Sequence, residues 1–171
     1  EAAGWRVSTP RPVPVTYSAV ADSEGGELQH ALHIPELSFG TEDHFLTLPG
    51  DIVNWSRLTL HLGGDMDASL ITLLTPAIVE ASGLVHLDLD VLGTLDDPAI
   101  DGQIDIRDVG LTPRGLGEEI LLRRGQMKVY PYWYEPESDQ HQMTIEIPRD
   151  QRIEGNLFSG AFSLSGQVHF D

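Results

Sequence analysis

The fold is decided by one stretch of sequence, GLVHLDLDVLGTLDDPAIDGQIDIR at residues 83–107. Residues 84–92 and 103–107 alternate apolar and polar side chains with a period of two, which is typical of β-strands with one buried face. Between them, residues 93–102 begin and end with Gly and contain Asp-Asp-Pro, which favour turns. The stretch therefore predicts two antiparallel strands whose apolar faces point the same way. A sandwich, a barrel or an open groove would all use such a hairpin.

The same alternation recurs on both sides of this hairpin. Each repeat has one apolar face and one polar face, which is the pattern of an antiparallel sheet with one face in water. We therefore predict an all-β fold with a mainly antiparallel sheet. The further predicted strands lie at 28–34, 45–48, 58–62, 143–147 and 160–170.

Residues 67–81 show a different pattern, with apolar side chains spaced three and four residues apart. This spacing predicts one short helix. Asp67 is the candidate N-cap and Ser82-Gly83 the candidate stop. Pro76 would either kink this helix or begin a second helical turn. Gly63-Gly64 are expected to end the strand that precedes it.

Charge limits the classes of partner. The 171 residues include 27 acids and 10 bases, which gives a net charge of −17. Such a surface repels phosphate backbones, so we expect no nucleic acid partner and no polybasic membrane patch. There is no cysteine, which removes disulfides and thiolate metal sites. No signal peptide and no membrane-spanning run are visible, and we interpret the chain as a segment of a longer protein.

The sequence predicts no catalytic, cofactor or metal site. It has no nucleophile elbow, no zinc-protease helix and no phosphate loop. The acids between residues 88 and 108 do not follow the calcium-loop pattern. We therefore expect a protein that is not an enzyme. The histidines lack the spacing of metal ligands and are expected to be solvated; they include His30, His33, His61, His86 and His169.

The order and spacing of these motifs resemble the C-terminal region of the TamB family, the translocation and assembly module. The family's strand and turn hallmark is matched by Gly93-Thr-Leu-Asp-Asp-Pro98, Gly102 and Asp108-Val-Gly110. Its preceding helical segment is matched by Gly64-Asp-Met-Asp through Gly83, and its last glycine-spaced strand by Gly160 to Phe170.

The resemblance covers roughly residues 58–170, which sets a provisional division of the chain. We assign 58–171 as a TamB-like β-groove segment and leave the strands of 1–57 without an assignment. The two parts are expected to form one continuous structural unit.

The resemblance implies a specific biology. TamB-like proteins belong with the AsmA-like bridge proteins of bacteria with two membranes. They are anchored in the inner membrane and cross the periplasm as a sheet curled into an apolar groove, a β-taco. They are implicated in phospholipid transport and in outer-membrane biogenesis and protein secretion with a TamA-like outer-membrane barrel. A periplasmic lipid conduit is therefore the expected function, with phospholipid or other apolar chains as its ligand.

The apolar strand positions are the candidate groove lining, since a curled sheet would gather them on its concave side. A β-sandwich recognition module that binds carbohydrate or protein through Tyr130-Pro-Tyr-Trp-Tyr134 is the alternative. The predicted lining residues are Leu58, Leu60, Leu62, Val85, Leu87, Leu89, Val91, Ile104, Ile106, Met143, Ile145, Ile147, Phe162, Leu164, Val168 and Phe170.

Overall fold

A computed structural model describes residues 15–21, 28–40, 45–132 and 142–170. Within these residues thirteen strands form one sheet, with one short helix, and every strand pairing is antiparallel. The all-β prediction is therefore confirmed. The strands are β1 (Thr16–Ala21), β2 (Leu28–Ile34), β3 (Ser38–Gly40), β4 (Phe45–Thr47), β5 (Gly50–Val53), β6 (Arg57–Asp67), β7 (Ile78–Thr94), β8 (Pro98–Pro113), β9 (Ile120–Tyr132), β10 (Gln142–Ile147), β11 (Ile153–Leu157), β12 (Gly160–Leu164) and β13 (Gly166–Phe170), and the helix is α1 (Ile71–Leu74).

The long hairpin of β7 and β8 forms the centre of the sheet, with strands of 17 and 16 residues. β6 pairs with β7, and β9 pairs with β8. Each of these flanking strands then has two outer neighbours along its length. β6 pairs with β5 near its start and with β4 farther along, while β9 pairs with β10 and β11. The sheet is open, and its main path runs β1-β2-β5-β6-β7-β8-β9-β10-β13.

The register places the apolar side chains on one face. Directly opposed residues of neighbouring strands point to the same side of a sheet. Leu62, Leu89, Gly102, Val129 and Ile145 are consecutive partners across β6, β7, β8, β9 and β10. The polar residues between them lie on the opposite face. We call the apolar side of the sheet the concave face and the polar side the convex face.

A β-bulge adjusts the central hairpin where it approaches the helix. The pairing of β7 with β8 shifts beside Gly83, and Asp108 has a positive φ of 47°. Ile106 and Val109 are three residues apart, which would place them on opposite faces of a regular strand. Both are buried, because the extra residue of the bulge turns the two side chains to the same face of the sheet.

The helix is much shorter than predicted. The prediction of a helix over 67–81 is wrong, since α1 ends at Leu74 and β7 begins at Ile78. Pro76 has no amide hydrogen to continue the helix, and Thr75 is extended with φ −144°. The predicted cap is confirmed, because Asp67 Oδ1 accepts a hydrogen bond from the Ser69 amide at 2.8 Å, at the start of a 3-10 turn.

Two other boundary predictions are wrong. Gly63-Gly64 do not end a strand, because β6 continues to Asp67 and both glycines pair with β4 and β7. The predicted strand at 160–170 is divided at Ser165 into β12, which pairs with β11, and β13, which pairs with β10. The division arises because the turn at 148–152 separates the two partner strands.

The N-terminal strands belong to the same sheet, since β5 pairs with β6. Of the aromatic stretch 130–134, Tyr130 and Pro131 lie in β9, while 133 and 134 lie outside the described residues. None of the helical structure in the described ranges is long and apolar enough to cross a membrane.

Gly102 tests whether the close approach of β7 and β8 requires a residue without a side chain. Its φ is +147°, and a Cβ there would collide with the backbone carbonyl oxygen of Asp88. We expect Gly102→Ala to lower the free energy of unfolding by roughly 2–4 kcal/mol, measured by urea denaturation. Gly160→Ala is the matched control, because a Cβ at Gly160 meets only Leu157 O at an ordinary 3.5 Å. Equal stability of the two variants would contradict the prediction.

Candidate apolar groove

One end of the concave face is filled by protein. The residues of this end, which we call the closed half, form one hydrophobic cluster beside α1. Ile71 of α1 and Met66 of β6 pack against it. The cluster contains Leu46, Ala68, Ala81, Val85, Leu87, Ile106, Val109 and Ile153.

Curvature explains how one sheet can bury these side chains. Val109 is only 1% exposed, although the described strands all belong to the same sheet. A flat sheet would leave such a side chain open on one side. Here Leu46 comes from the outer strand beyond β6, and Ile153 from the outer strand beyond β9. The sheet must therefore curl toward its apolar face, and the segment that contains Ala68 covers what remains.

The other end of the concave face has no such cover among the described residues. We call it the open half; it lies toward the β5–β6 and β7–β8 turns. Val91 pairs with Leu60 and Ile100, and all three are only half-buried. Val168 at the outer edge is exposed. The open half comprises Leu58, Leu60, Val91, Ile100, Val129, Met143, Ile145 and Val168, of which Leu58 and Val129 are buried.

The predicted lining residues separate into these two halves. Val85, Leu87 and Ile106 are part of the filled cluster, where each is buried against other side chains of the protein. Residues that pack on the edge of that cluster are Leu62, Leu89, Ile104 and Ile147. Phe162 and Leu164 lie on the outer strand β12, beside Gly155 and Ile153 of β11. Phe170 pairs with Met143 at the edge of the sheet.

Two lining residues were missing from the predicted set. Ile100 continues the row of Leu60 and Val91, and Val129 is buried opposite Gly102. Val129 alternates with Met127 around Lys128, and this pattern could have revealed a strand. The nearby Pro131 and the aromatic residues obscured it.

The convex face is polar and paired. His33, His61 and His86 each contact an aspartate directly across from them on the neighbouring strand. The distances from Nδ1 to the carboxylate are 2.8 Å for His33 with Asp51, 2.9 Å for His61 with Asp90 and 2.9 Å for His86 with Asp65. These histidines were predicted to be solvated, and the structure gives each a carboxylate partner. His and Asp recur at alternate positions of the strands in the sequence, and this pattern could have predicted the pairs.

A second polar group joins β9, β10 and β13 on the same face. The Tyr130 hydroxyl donates to Glu146 at 3.0 Å and accepts from the Gln167 amide at 3.2 Å. Burial, followed by the hydrogen bond and the charge of Glu146, raises the pKa of Tyr130 above its ordinary value. Thr144 beside them is fully buried and bonds His169 Nδ1 at 2.8 Å. These contacts make the convex face a largely polar, hydrogen-bonded surface.

No group of three or more metal-binding side chains occurs in the ranges that the structure describes. Comparisons with family models, with curated proteins and with solved structures find no match to this chain. The functional argument therefore rests on the geometry of the two faces.

Leu87 and Leu60 provide a matched test of the closed and open halves. Leu87→Ala removes a buried side chain from the filled cluster and should cost about 2–5 kcal/mol of stability, because it leaves a cavity. Leu60→Ala removes a half-buried side chain from the open half and should cost roughly 1 kcal/mol. Urea denaturation measures both. A larger loss for Leu60→Ala would mean that the open half is packed as tightly as the closed half.

The ion pair of Arg124 and Glu154 joins β9 to β11 and predicts a pH dependence. Arg124 Nη2 lies 2.9 Å from the carboxylate, and its hydrogen bond holds the pKa of Glu154 below its ordinary value. Because the folded pKa is lowered, the pair stabilises the fold above the unfolded pKa of about 4.3 and loses this effect as pH falls below it.

Glu154→Gln should therefore be less stable than the wild type at neutral pH, and the two should converge in acid. The urea midpoint at a series of pH values measures this convergence. Asp150→Asn is the control, since it removes an exposed acid from the turn after β10 and leaves the pair intact. A stability difference that stays constant into acid would contradict the prediction.

Proposed function

We propose that the open half of the concave face binds acyl chains, and that the chain is a non-enzymatic segment of a TamB-like bridge that carries phospholipid. The observation that supports this is a row of half-buried apolar side chains on one open, curled sheet, represented by Leu60, Val91 and Ile100. A lipid needs its acyl chains kept from water while its head group stays wet, and an apolar concave face beside open solvent meets both needs.

The dimensions of the open half suit a single acyl chain. From Val91 to Thr94 the strand β7 spans roughly 10 Å at about 3.3 Å per residue, and the row extends by roughly 7 Å more to Leu89 at the edge of the closed half. One leaflet of a bilayer has a hydrocarbon depth of about 15 Å, half the usual core thickness. A chain lying along β7 would therefore be covered for most of its length. Each buried methylene would contribute about 0.8 kcal/mol.

The filled end restricts how such a ligand is bound. The cluster of Leu87, Ile106 and Val109 occupies the concave face beside α1, so an acyl chain enters from the turn end or across an edge of the sheet. In the bridge that we propose, this segment lies in the periplasm of a protein anchored in the inner membrane. A TamA-like outer-membrane barrel is the proposed protein partner, and protein assembly there is a second use of the same groove.

A β-sandwich recognition module is the less favoured alternative. A sandwich needs a second sheet in dry contact with the first. All the strands in the described part of the chain belong to one sheet, and its apolar face is covered by a helix at one end only. The groove is therefore the simpler use of this surface.

Val91 and Asp90 are neighbours on β7 that point to opposite faces, and they test the groove directly. A photo-crosslinking residue at 91 should capture a phospholipid or a fatty acid, while the same residue at 90 should not. Mass spectrometry of the irradiated protein detects the adduct. Capture at 90 and not at 91 would contradict the proposed orientation.

Arginine substitutions at the same positions separate binding from folding. Val91→Arg should keep the fold, because a long side chain in the open half reaches water, and should weaken the binding of a fluorescent fatty acid at least tenfold. Asp90→Arg should leave this binding unchanged. Circular dichroism establishes the fold of each variant. Normal fatty acid binding by a folded Val91→Arg variant would overturn the groove proposal.

A further inference from the structure

The turn between β5 and β6 places an aromatic residue where glycine is normally required. The Ser56 amide donates to the Val53 carbonyl oxygen at 3.1 Å, so Val53 to Ser56 form a tight turn. Both central residues have positive φ, 50° for Asn54 and 55° for Trp55. Turns of this kind favour Asn followed by Gly, since a left-handed backbone is costly for a residue with a Cβ. Trp55 is thus held in a costly conformation, and the residue is 58% exposed.

A stack of rings fixes the indole of Trp55 in place. The Tyr17 ring stacks against it at an interplanar angle of 19°, with the ring centroids 6.3 Å apart. Tyr17 also stacks on His30 and bonds its Nδ1 through the phenol oxygen at 2.6 Å. The turn itself is held to β2, since the His30 amide donates to Asn54 Oδ1 at 2.9 Å. The exposed aromatic side chain is therefore preorganised, which lowers the entropy cost of a contact.

The neighbouring turn adds an aliphatic side chain to this surface. The Leu95 amide donates to the Ser56 carbonyl oxygen at 2.9 Å, so the β7–β8 turn is tied to the β5–β6 turn. Leu95 is 59% exposed, and Tyr17 is also exposed. We define Tyr17, Trp55 and Leu95 as the rim patch. It lies at the mouth of the open half, where β6 and β7 begin and end.

We propose that the rim patch inserts into the interfacial region of a lipid bilayer with no net charge. This inference rests on the proposed function, since it names the source from which the groove would take its ligand. Tyr and Trp favour the membrane interface because each has an apolar body and a polar tip. Side chains at the tips of turns also protrude, and a soft bilayer surface accommodates protruding groups without a shaped pocket.

The negative charge of the protein favours a bilayer without net charge over an anionic one. Asp96 and Asp97 follow Leu95 directly in the same turn, and the chain as a whole carries a net charge of −17. Among the described residues, Arg57 is a basic residue close to this turn in the sequence, and it begins β6. An anionic membrane surface would repel this end of the molecule. A zwitterionic surface, such as one of phosphatidylcholine, would accept the apolar side chains without that repulsion.

Flotation of the protein with phosphatidylcholine vesicles tests the inference. Trp55→Gly should lower the apparent partition coefficient about tenfold, because it removes the largest inserted side chain. Gly also suits the positive φ of this turn, so the variant should be at least as stable as the wild type. Leu95→Ser should lower the partition coefficient by a smaller factor.

Phe158→Gly is the matched control. Phe158 is 64% exposed and has φ 54° in the β11–β12 turn, which joins strands at the closed half. Its substitution should leave vesicle binding unchanged. An equal loss for Phe158→Gly and Trp55→Gly, unchanged binding by Trp55→Gly, or no vesicle binding by the wild type would each overturn the proposal. Stronger binding to vesicles that contain an anionic phospholipid would do the same.

Fatty acid binding by the same proteins separates this inference from the groove. Trp55→Gly should bind a soluble fluorescent fatty acid as the wild type does, while Val91→Arg should lose that ligand and keep vesicle binding. If Val91→Arg lost vesicle binding while Trp55→Gly kept it, the membrane contact would lie in the groove and not at the rim patch. That result would overturn the inference.

Discussion

The structure depends on one constraint, which is that a single sheet has to keep one apolar face from water. Every described strand pairing belongs to the same sheet, so no second sheet supplies a partner surface within the described residues. Curling brings the outer strands over the central hairpin, and Ala68 beside the helix completes the cover at one end. There Val109 and Leu87 are buried. Toward the opposite turns, no other described segment covers the same face, and this difference divides it into a closed and an open half.

Strand faces could be predicted from the sequence because they are local. The alternation along residues 84–92 shows which side chains share one face of β7. Antiparallel pairing places the matching apolar side chains of β6 and β8 on that same face. The helix over 67–81 could not be predicted correctly, since its later part is apolar on most sides and fits a strand equally well. Residues from Ile78 onward form a strand because they pair with β8, beginning with Ile78 opposite Pro113, and these partners are distant in the sequence.

The groove was only partly predictable for a related reason. Leu60 and Val91 were placed correctly on the apolar face, and so were Leu87 and Ile106. Alternation gives the face of a residue but does not say what covers it. The cover of the closed half includes Leu46 and Ala68, which come from separate parts of the chain. The rim patch was not predicted at all, because the positive φ of Trp55 is a property of the folded turn and a Trp at that position is unexpected.

Intermolecular nuclear Overhauser effects would test most directly whether the open half binds an acyl chain. The protein would be perdeuterated with protonated Leu and Val methyl groups, and the ligand would be an ordinary protonated fatty acid. An open concave half predicts cross-peaks from the acyl chain to Leu60 and Val91. It predicts none to Leu87, which is buried in the cluster, or to Leu92, which lies on the convex face opposite Thr59. Cross-peaks to Leu92 without any to Val91, or a complete absence of cross-peaks at saturating ligand, would contradict it.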